Sequence, residues 1–207
     1  MKTPEAFWNK LARKYAATPI KDEAAYETTL ERTRAHLTSE TKLLEIGCGT
    51  GSTALKLAGD VAKITASDVS SEMIAIANEK KDAASADKII FVKGTVFDPQ
   101  FDSTSPDVII AFNLLHLVED LDATLARVNA LLPNDGLFIS KTPCLAEKGS
   151  LLKLMIPLMQ IVGKAPYVRF LGVDELKDHI TNAGFDVVEV GDYPPKMPSR
   201  FVVARKH

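Results

Sequence analysis

From residue 42 onward short apolar runs alternate with segments of helical period, and this alternation restricts the possible folds more than any other feature. The runs at 42–46, 62–68, 88–94, 107–113 and 137–141 are rich in Ile, Leu, Val and Phe and too short for helices. Between them, 53–59 reads as a helix closed by Gly59. A second helix starts near Ser70 or Ser71 and runs to Lys80, with Met73, Ile74 and Ala77 as its buried stripe. A third covers 121–132, with Leu121, Leu125, Val128 and Leu132 on one face, and a turn at Pro133–Gly136 launches the next strand. A helix over 173–184 and strands at 185–190 and 200–206 complete the series. Strands apolar on both faces, separated by helices, belong in a mostly parallel sheet covered on both sides. The predicted fold is doubly wound α/β.

Length and charge narrow the possibilities further. The 207 residues suit one domain, divided into a helical N-terminal cap (1–40), a core (41–142), an insertion (143–172) and a last helix with two strands (173–207). Lys and Arg total 25 against 27 for Asp and Glu, which excludes a strongly basic nucleic-acid binder and a polybasic membrane binder. Two cysteines, Cys48 and Cys144, are too few for a disulfide framework or a four-cysteine zinc site, so both are read as thiols. The first residues lack a signal peptide's apolar core, and no apolar run is long enough to span a bilayer. The reading is a cytoplasmic protein.

The chemistry concentrates in Glu45-Ile46-Gly47-Cys48-Gly49-Thr50-Gly51, directly after one strand and before a helix. Glycines let the backbone turn sharply and approach a ligand where a Cβ would collide. Asp68 ends the second strand, where an α/β sheet opens its crevice and a carboxylate can accept from both hydroxyls of a ribose. Glu45 has no obvious use beside a negative pyrophosphate, whereas a ligand with an ammonium or sulfonium group would welcome it. A nicotinamide dinucleotide loop would want glycine or alanine where Ser52 stands, and no Tyr-x-x-x-Lys pair follows.

On these residues the chain resembles the class I S-adenosylmethionine-dependent methyltransferases, strongly over 40–140 and in element order through 206. The resemblance implies a seven-stranded Rossmann-like sheet of order 3-2-1-4-5-7-6 with strand 7 antiparallel. It implies S-adenosylmethionine as methyl donor and S-adenosylhomocysteine as product. Glu45, Gly47, Cys48, Gly49, Thr50 and Gly51 would then hold the methionine part, Asp68 the ribose, and Val69 and Met73 the adenine. Family members carry a Gly-Asp-Ala-like segment for the adenine amino group. This chain has Gly94-Thr95-Val96, so Thr95 and Val96 are the expected contacts, Val96 through its backbone. Asn113 is expected to meet the cofactor through its backbone as well.

His116, just past the fourth strand, faces the expected acceptor mouth; it is either a general base or a packing residue beneath a lid. No metal site is expected, because no acid pair suited to magnesium follows the fourth strand. Nor does that strand end in Asn-Pro-Pro-Tyr, the mark of relatives acting on exocyclic amines. Cys48 is a small loop residue rather than a nucleophile, and His36, His179 and His207 are read as solvated. Tyr15 and Tyr26 either close over the cofactor or belong to the core of the helical cap, the second reading being preferred. The apolar run 151–162 is a packed lid, an acceptor wall or a membrane-touching face. A lid that also shapes the acceptor pocket, with Tyr167 and Arg169 as polar contributors, is the reading adopted. The function expected is methyl transfer to a small or medium-sized, apolar-leaning acceptor, with no nucleic acid as partner. The alternative is a cofactor-binding subunit or sensor without catalysis.

Overall fold

The computed structural model describes residues 3–146, 150–161, 163–195 and 199–207, with backbone alone for 150–154 and 161. Seven strands form one sheet: β1 (Lys42–Ile46), β2 (Lys63–Asp68), β3 (Ile89–Lys93), β4 (Val108–Phe112), β5 (Leu137–Pro143), β6 (Phe185–Asp192) and β7 (Ser199–Lys206). Their order is β3-β2-β1-β4-β5-β7-β6. The first five strands pair in parallel, and β7 inserts antiparallel to both β5 and β6. The α/β class and strand order expected from sequence are those observed.

Both faces of the sheet are covered, which is why its central strands read as unbroken apolar runs. Leu43, Ile64, Ile110, Ile139 and Phe201 lie under α2 (Glu23–Arg34), α3 (Ser52–Leu57) and α4 (Ser71–Ala84). Leu44, Ile46, Ile109, Phe138 and Val202 lie under α5 (Leu121–Leu131) and α7 (Val173–Asn182). Leu44 and Ile109 are fully buried, so truncating either to Ala should cost about 2–5 kcal/mol. The strand order turns back at β1: the chain runs outward to β2 and β3, then returns to β4 on the other flank. The loops after β1 and β4 therefore diverge and leave a crevice at the carboxyl ends of the strands.

Element boundaries differ from the sequence reading where the backbone closes itself. The helix expected over 53–59 is the short α3 followed by a tight turn at Ala58–Asp60. The helix expected to end at Lys80 runs to Ala84 and stops at Ser85, whose φ of 50° is left-handed. At its start Ser70 caps Met73, as its position suggested.

Two elements lie outside the sheet's alternation, and they behave differently. The N-terminal α1 (Pro4–Ala16) packs on α4: Ala12 is buried against Met73 and Ile76, and Trp8 packs at the edge. Asn9 Oδ1 accepts from Ser70 Oγ at 2.6 Å and from the Glu72 amide at 3.2 Å, so α1 is tied to the start of α4. Of the expected face Phe7, Trp8, Leu11 and Tyr15, none is fully buried, because α1 bridges an open crevice instead of sealing a core. By contrast α6 (Ser150–Ile161) leaves Met155, Leu158 and Met159 exposed. This corrects the expectation of a packed lid, so far as its side chains are described; residues 147–149 and Val162 of the expected insertion, like residues 1–2 of the expected cap, lie outside the described residues. None of the described helices is long and apolar enough to cross a membrane.

Of the histidines read as solvated, His207 is exposed while His36 and His179 are half-buried, and all three meet a carboxylate. His36 Nε2 lies 2.9 Å from Glu189 Oε2, His179 Nδ1 contacts Asp122 and His207 Nδ1 contacts Asp186. Their partners are remote in sequence, so local pattern could not reveal them.

Candidate functional site

The chain leaves β1 at Ile46 and turns through three left-handed glycines, Gly47, Gly49 and Gly51, with φ of 70°, 53° and 75°. L side chains resist this region, and each glycine has a different further reason to be there. A Cβ on Gly47 would meet Leu114 Cδ1 at 2.7 Å, and one on Gly51 would meet the Phe91 ring at 2.5 Å. Those two glycines fit the loop to the protein. A Cβ on Gly49 would find only Tyr15 Cε1 at 3.8 Å, so its open face is turned to the crevice. Gly51 packs against the protein on its Cβ side, and it lines neither of the two cavities described next.

Two cavities of about 420 and 520 Å³ meet at Tyr15, Gly47, Gly49, Phe112 and Asn113. The first also holds Asp68, Val69, Met73, Thr95 and Val96 of the expected ligand residues. The second holds Glu45, Cys48 and Thr50. Topology thus brings together eleven of the twelve expected cofactor positions, all but Gly51, across one sheet edge. Trp8, Phe97 and Leu117 also line the first cavity, although the sequence pattern did not single them out for it.

Asp68 is braced where β2 ends. Its Oδ2 accepts from the Gly49 amide and its Oδ1 from the Ser70 amide, both at 2.9 Å. Burial raises its carboxyl pKa, and those two N–H groups oppose the rise. One aspartate thereby ties the glycine loop to the start of α4 and retains lone pairs for another donor.

Glu45 is buried at the foot of the loop, and its Oε2 has no hydrogen-bond partner among the described residues. Burial, with the nearby Asp68 charge second, pushes its pKa up to about 8; an amide of Ala54 acts the other way. An unpartnered buried carboxyl is costly unless a ligand completes it. Cys48, beside it, is also buried, and burial followed by Glu45 and Asp68 raises its thiol pKa well above the ordinary value, so it is not poised as a nucleophile.

Two lysines missed by the sequence reading line the second cavity. Lys80 Nζ donates to Thr50 Oγ1 at 2.8 Å and to Ser52 Oγ at 3.2 Å. Lys141 Nζ donates to Thr29 Oγ1 at 2.9 Å, and burial lowers its pKa against a smaller opposing pull from Asp22. A lysine inside the apolar strand Leu-Phe-Ile-Ser-Lys was the available signal for the second.

The remaining expected positions differ in what they face. His116 lines neither cavity: its Nδ1 is buried with no partner among the described residues, and burial pushes its pKa down to about 4. Its backbone carbonyl accepts from the Arg169 amide at 2.7 Å, which pins the loop after β4. Arg169 and Tyr167 line neither cavity either. Asn113 lines both, with a left-handed φ of 55°, but its backbone N–H already donates to the Lys141 carbonyl at 2.7 Å. The Val96 carbonyl is likewise used by Arg127 Nε. Tyr15 is half-exposed and lines both cavities. Tyr26 lines the second, its hydroxyl meeting Thr53 Oγ1 at 3.3 Å, and it also packs half-buried against the core cluster beneath α2, so the core reading fails for Tyr15 alone.

Comparison with known proteins bears on the fold and the family. Demethylmenaquinone methyltransferase of Oceanobacillus iheyensis is 26% identical over 175 residues, covering 72% of this chain and 71% of the relative. A highly reducing polyketide synthase of Alternaria alternata is 31% identical over 112 residues, 51% of this chain. The chain spans only 5%, 40% and 7% of the length of three curated relatives it matches, that synthase among them. Among solved structures, magnesium protoporphyrin IX methyltransferase from Synechocystis PCC 6803, with SAH bound, superposes with a TM-score of 0.71 at 17% identity. That match covers 98% of both chains and speaks for the fold. Residues 13–190 match the family described as a methyltransferase domain, and the chain belongs to that family.

Proposed function

We propose that this protein transfers the methyl group of S-adenosylmethionine to a small or medium-sized acceptor. The observation that carries this reading is the junction of two cavities over Gly49, with a braced aspartate on one side and a buried, incompletely bonded glutamate on the other. The open face of Gly49 and the orphaned Glu45 oxygen both suit a nucleoside with a cationic amino-acid end.

Asp68 would hold the ribose, each of its oxygens having a lone pair beyond the amide bond it accepts. Val69 and Met73 would flank the adenine, and with the Val96 carbonyl engaged a ring contact falls to its N–H or to Thr95. Glu45 would complete its bonding against the ammonium, while Gly47, Gly49, Cys48 and Thr50 shape the passage into the second cavity, which receives the acceptor. The donor supplies a methyl group already activated by its sulfonium. The protein's own work is positional: it aligns the acceptor atom with that methyl, about 3–3.5 Å away, and keeps water out. His116, buried away from both cavities, would support the loop rather than move a proton.

Isothermal titration tests the reading. S-adenosylmethionine and S-adenosylhomocysteine should both bind, and NAD should give no heat. Binding of NAD with silence from both sulfur nucleosides would overturn it.

A further inference from the structure

We propose that Lys141 and Thr29 form an anion subsite in the second cavity that receives the carboxylate of the methyl acceptor. The proposal rests on the functional reading above and names the acceptor's class: a monocarboxylate with an apolar body.

Lys141 is 9% exposed, and among the described residues its ammonium makes one hydrogen bond, to Thr29 Oγ1. Thr29 is fully buried and gives its own proton to the Ala25 carbonyl at 2.7 Å, so its oxygen is turned to the lysine as an acceptor only. An ammonium has three donors, and burying it against a single neutral oxygen costs several kcal/mol unless an anion completes the site. No carboxylate of the described residues lies within ion-pair distance of it; Asp22 acts on it only from farther off, and spends its side chain on the Ala25 amide at the start of α2.

Register separates this subsite from the methionine end of the donor. Glu45 of β1, Ile110 of β4 and Ile139 of β5 stand abreast, and Lys141 lies two residues beyond Ile139 on the same face. Two strand spacings, about 10 Å, thus lie between the lysine and the glycine loop. Phe112 of β4, paired with Lys141, stands between them. The donor's carboxylate has a nearer cation in Lys80, which already bonds Thr50 and Ser52 beside the loop. Lys141 is left for the other reactant.

The surroundings limit that reactant's charge and shape. With Lys80 and Glu45 matched to the donor's carboxylate and ammonium, Lys141 faces the acceptor as a lone cation among the described residues, with Asp22 in the same cavity, which suits a single negative charge rather than a dianion such as a phosphate monoester. Ile20, Ala25, Tyr26, Pro143, Leu145 and Tyr193 supply an apolar wall for the rest of the molecule.

The test uses the full chain saturated with S-adenosylhomocysteine. Phenylacetate, cinnamate and octanoate are titrated beside their primary amides, in the wild type, Lys141→Met and Lys141→Arg. In the wild type the carboxylates should bind roughly tenfold or more tightly than the amides. Lys141→Met should erase that preference and Lys141→Arg should keep part of it. Equal binding of acids and amides, no binding of any acid in the millimolar range, or a preference that survives in Lys141→Met would each overturn the subsite. S-adenosylhomocysteine should bind Lys141→Met as it binds the wild type, which also reports that the variant folds. Weaker nucleoside binding confined to the variant would assign the lysine to the donor and overturn the proposal. No nucleoside binding in the wild type would instead defeat the functional reading beneath it.

Discussion

The two cavities that meet at Gly49 are built from different kinds of chain. The first is walled largely by strand ends and the turns that follow them: Ile46, Ser67 to Val69, Gly94 to Val96 and Asn113. Beyond the glycine loop and Lys141 of β5, the second takes its walls from the turn before α2, from α2 itself, from the residues after β5 and from the β6–β7 connection. Strand ends are fixed by the hydrogen-bonded register of the sheet, so one set of interactions specifies both the fold and the first cavity. Connections are less constrained by the sheet, and in the second cavity they decide what shape and charge is admitted.

The sharpest break of that comparison lies within the glycine loop. Gly51→Val puts a branched Cβ into the Phe91 ring at a φ of 75°, and it should cost about 3 kcal/mol or more. Thermal melting should fall by about 6–12 °C. Gly49→Ala has open space before it and should cost only about 1–2 kcal/mol of stability. Its S-adenosylhomocysteine affinity should nonetheless drop roughly tenfold or more, as read by calorimetry. If Gly49→Ala bound normally, the loop would not approach the ligand.

Next in size is Asp68→Ala, which removes a charge-assisted contact worth about 1.5–3 kcal/mol. S-adenosylhomocysteine and methylthioadenosine should weaken alike, because both carry the ribose. An effect on the first alone would move Asp68 to the amino-acid end.

Glu45 tests the seam between the cavities through pH. Its carboxyl titrates near 8 in the fold against an ordinary value of 4.5, so the unfolded chain gives up its proton first. The stability held by the neutral form is present below the ordinary value and is lost as pH rises through about 8. Glu45→Gln cannot ionise, so its melting temperature relative to wild type should climb between acid and mildly alkaline pH. Donor binding near neutral pH should release a proton, visible as a buffer-dependent binding enthalpy, and Glu45→Gln should abolish that dependence. A wild-type enthalpy independent of buffer would show that Glu45 does not ionise on binding.

The smallest effect is expected at Leu158, exposed on α6 and lining neither cavity. Leu158→Gln should change stability by no more than about 0.5 kcal/mol and leave nucleoside affinity untouched. A clear loss of affinity would restore α6 as part of the site.

What was legible in the sequence follows the same division. Apolar runs buried on both faces, the turn at Glu45 to Gly51 and Asp68 at a strand end are local patterns, and they carried the α/β class and the first cavity; the strand order came only with the family resemblance those patterns supported. Tyr15 was misread because helical spacing marks a face without saying whether that face meets protein or a crevice, whereas Tyr26 meets both. The run through α6 looked like a lid because apolar composition indicates burial only on average, and Met155 and Leu158 are among the exceptions. The place of His116 after β4 left a base and a packing residue both open, because the ring direction depends on the loop that Arg169 pins. Lys141 carried a signal, a cation within a buried strand, whose meaning emerged only when α2 brought Thr29 against it.

A crystal of the protein grown with S-adenosylhomocysteine is the most direct measurement. Density should run unbroken from the first cavity past Gly49 into the second, with both ribose hydroxyls on Asp68 and the amino group beside Glu45. Density for the nucleoside at any other surface, with Asp68 still bonded to backbone alone, would contradict the account.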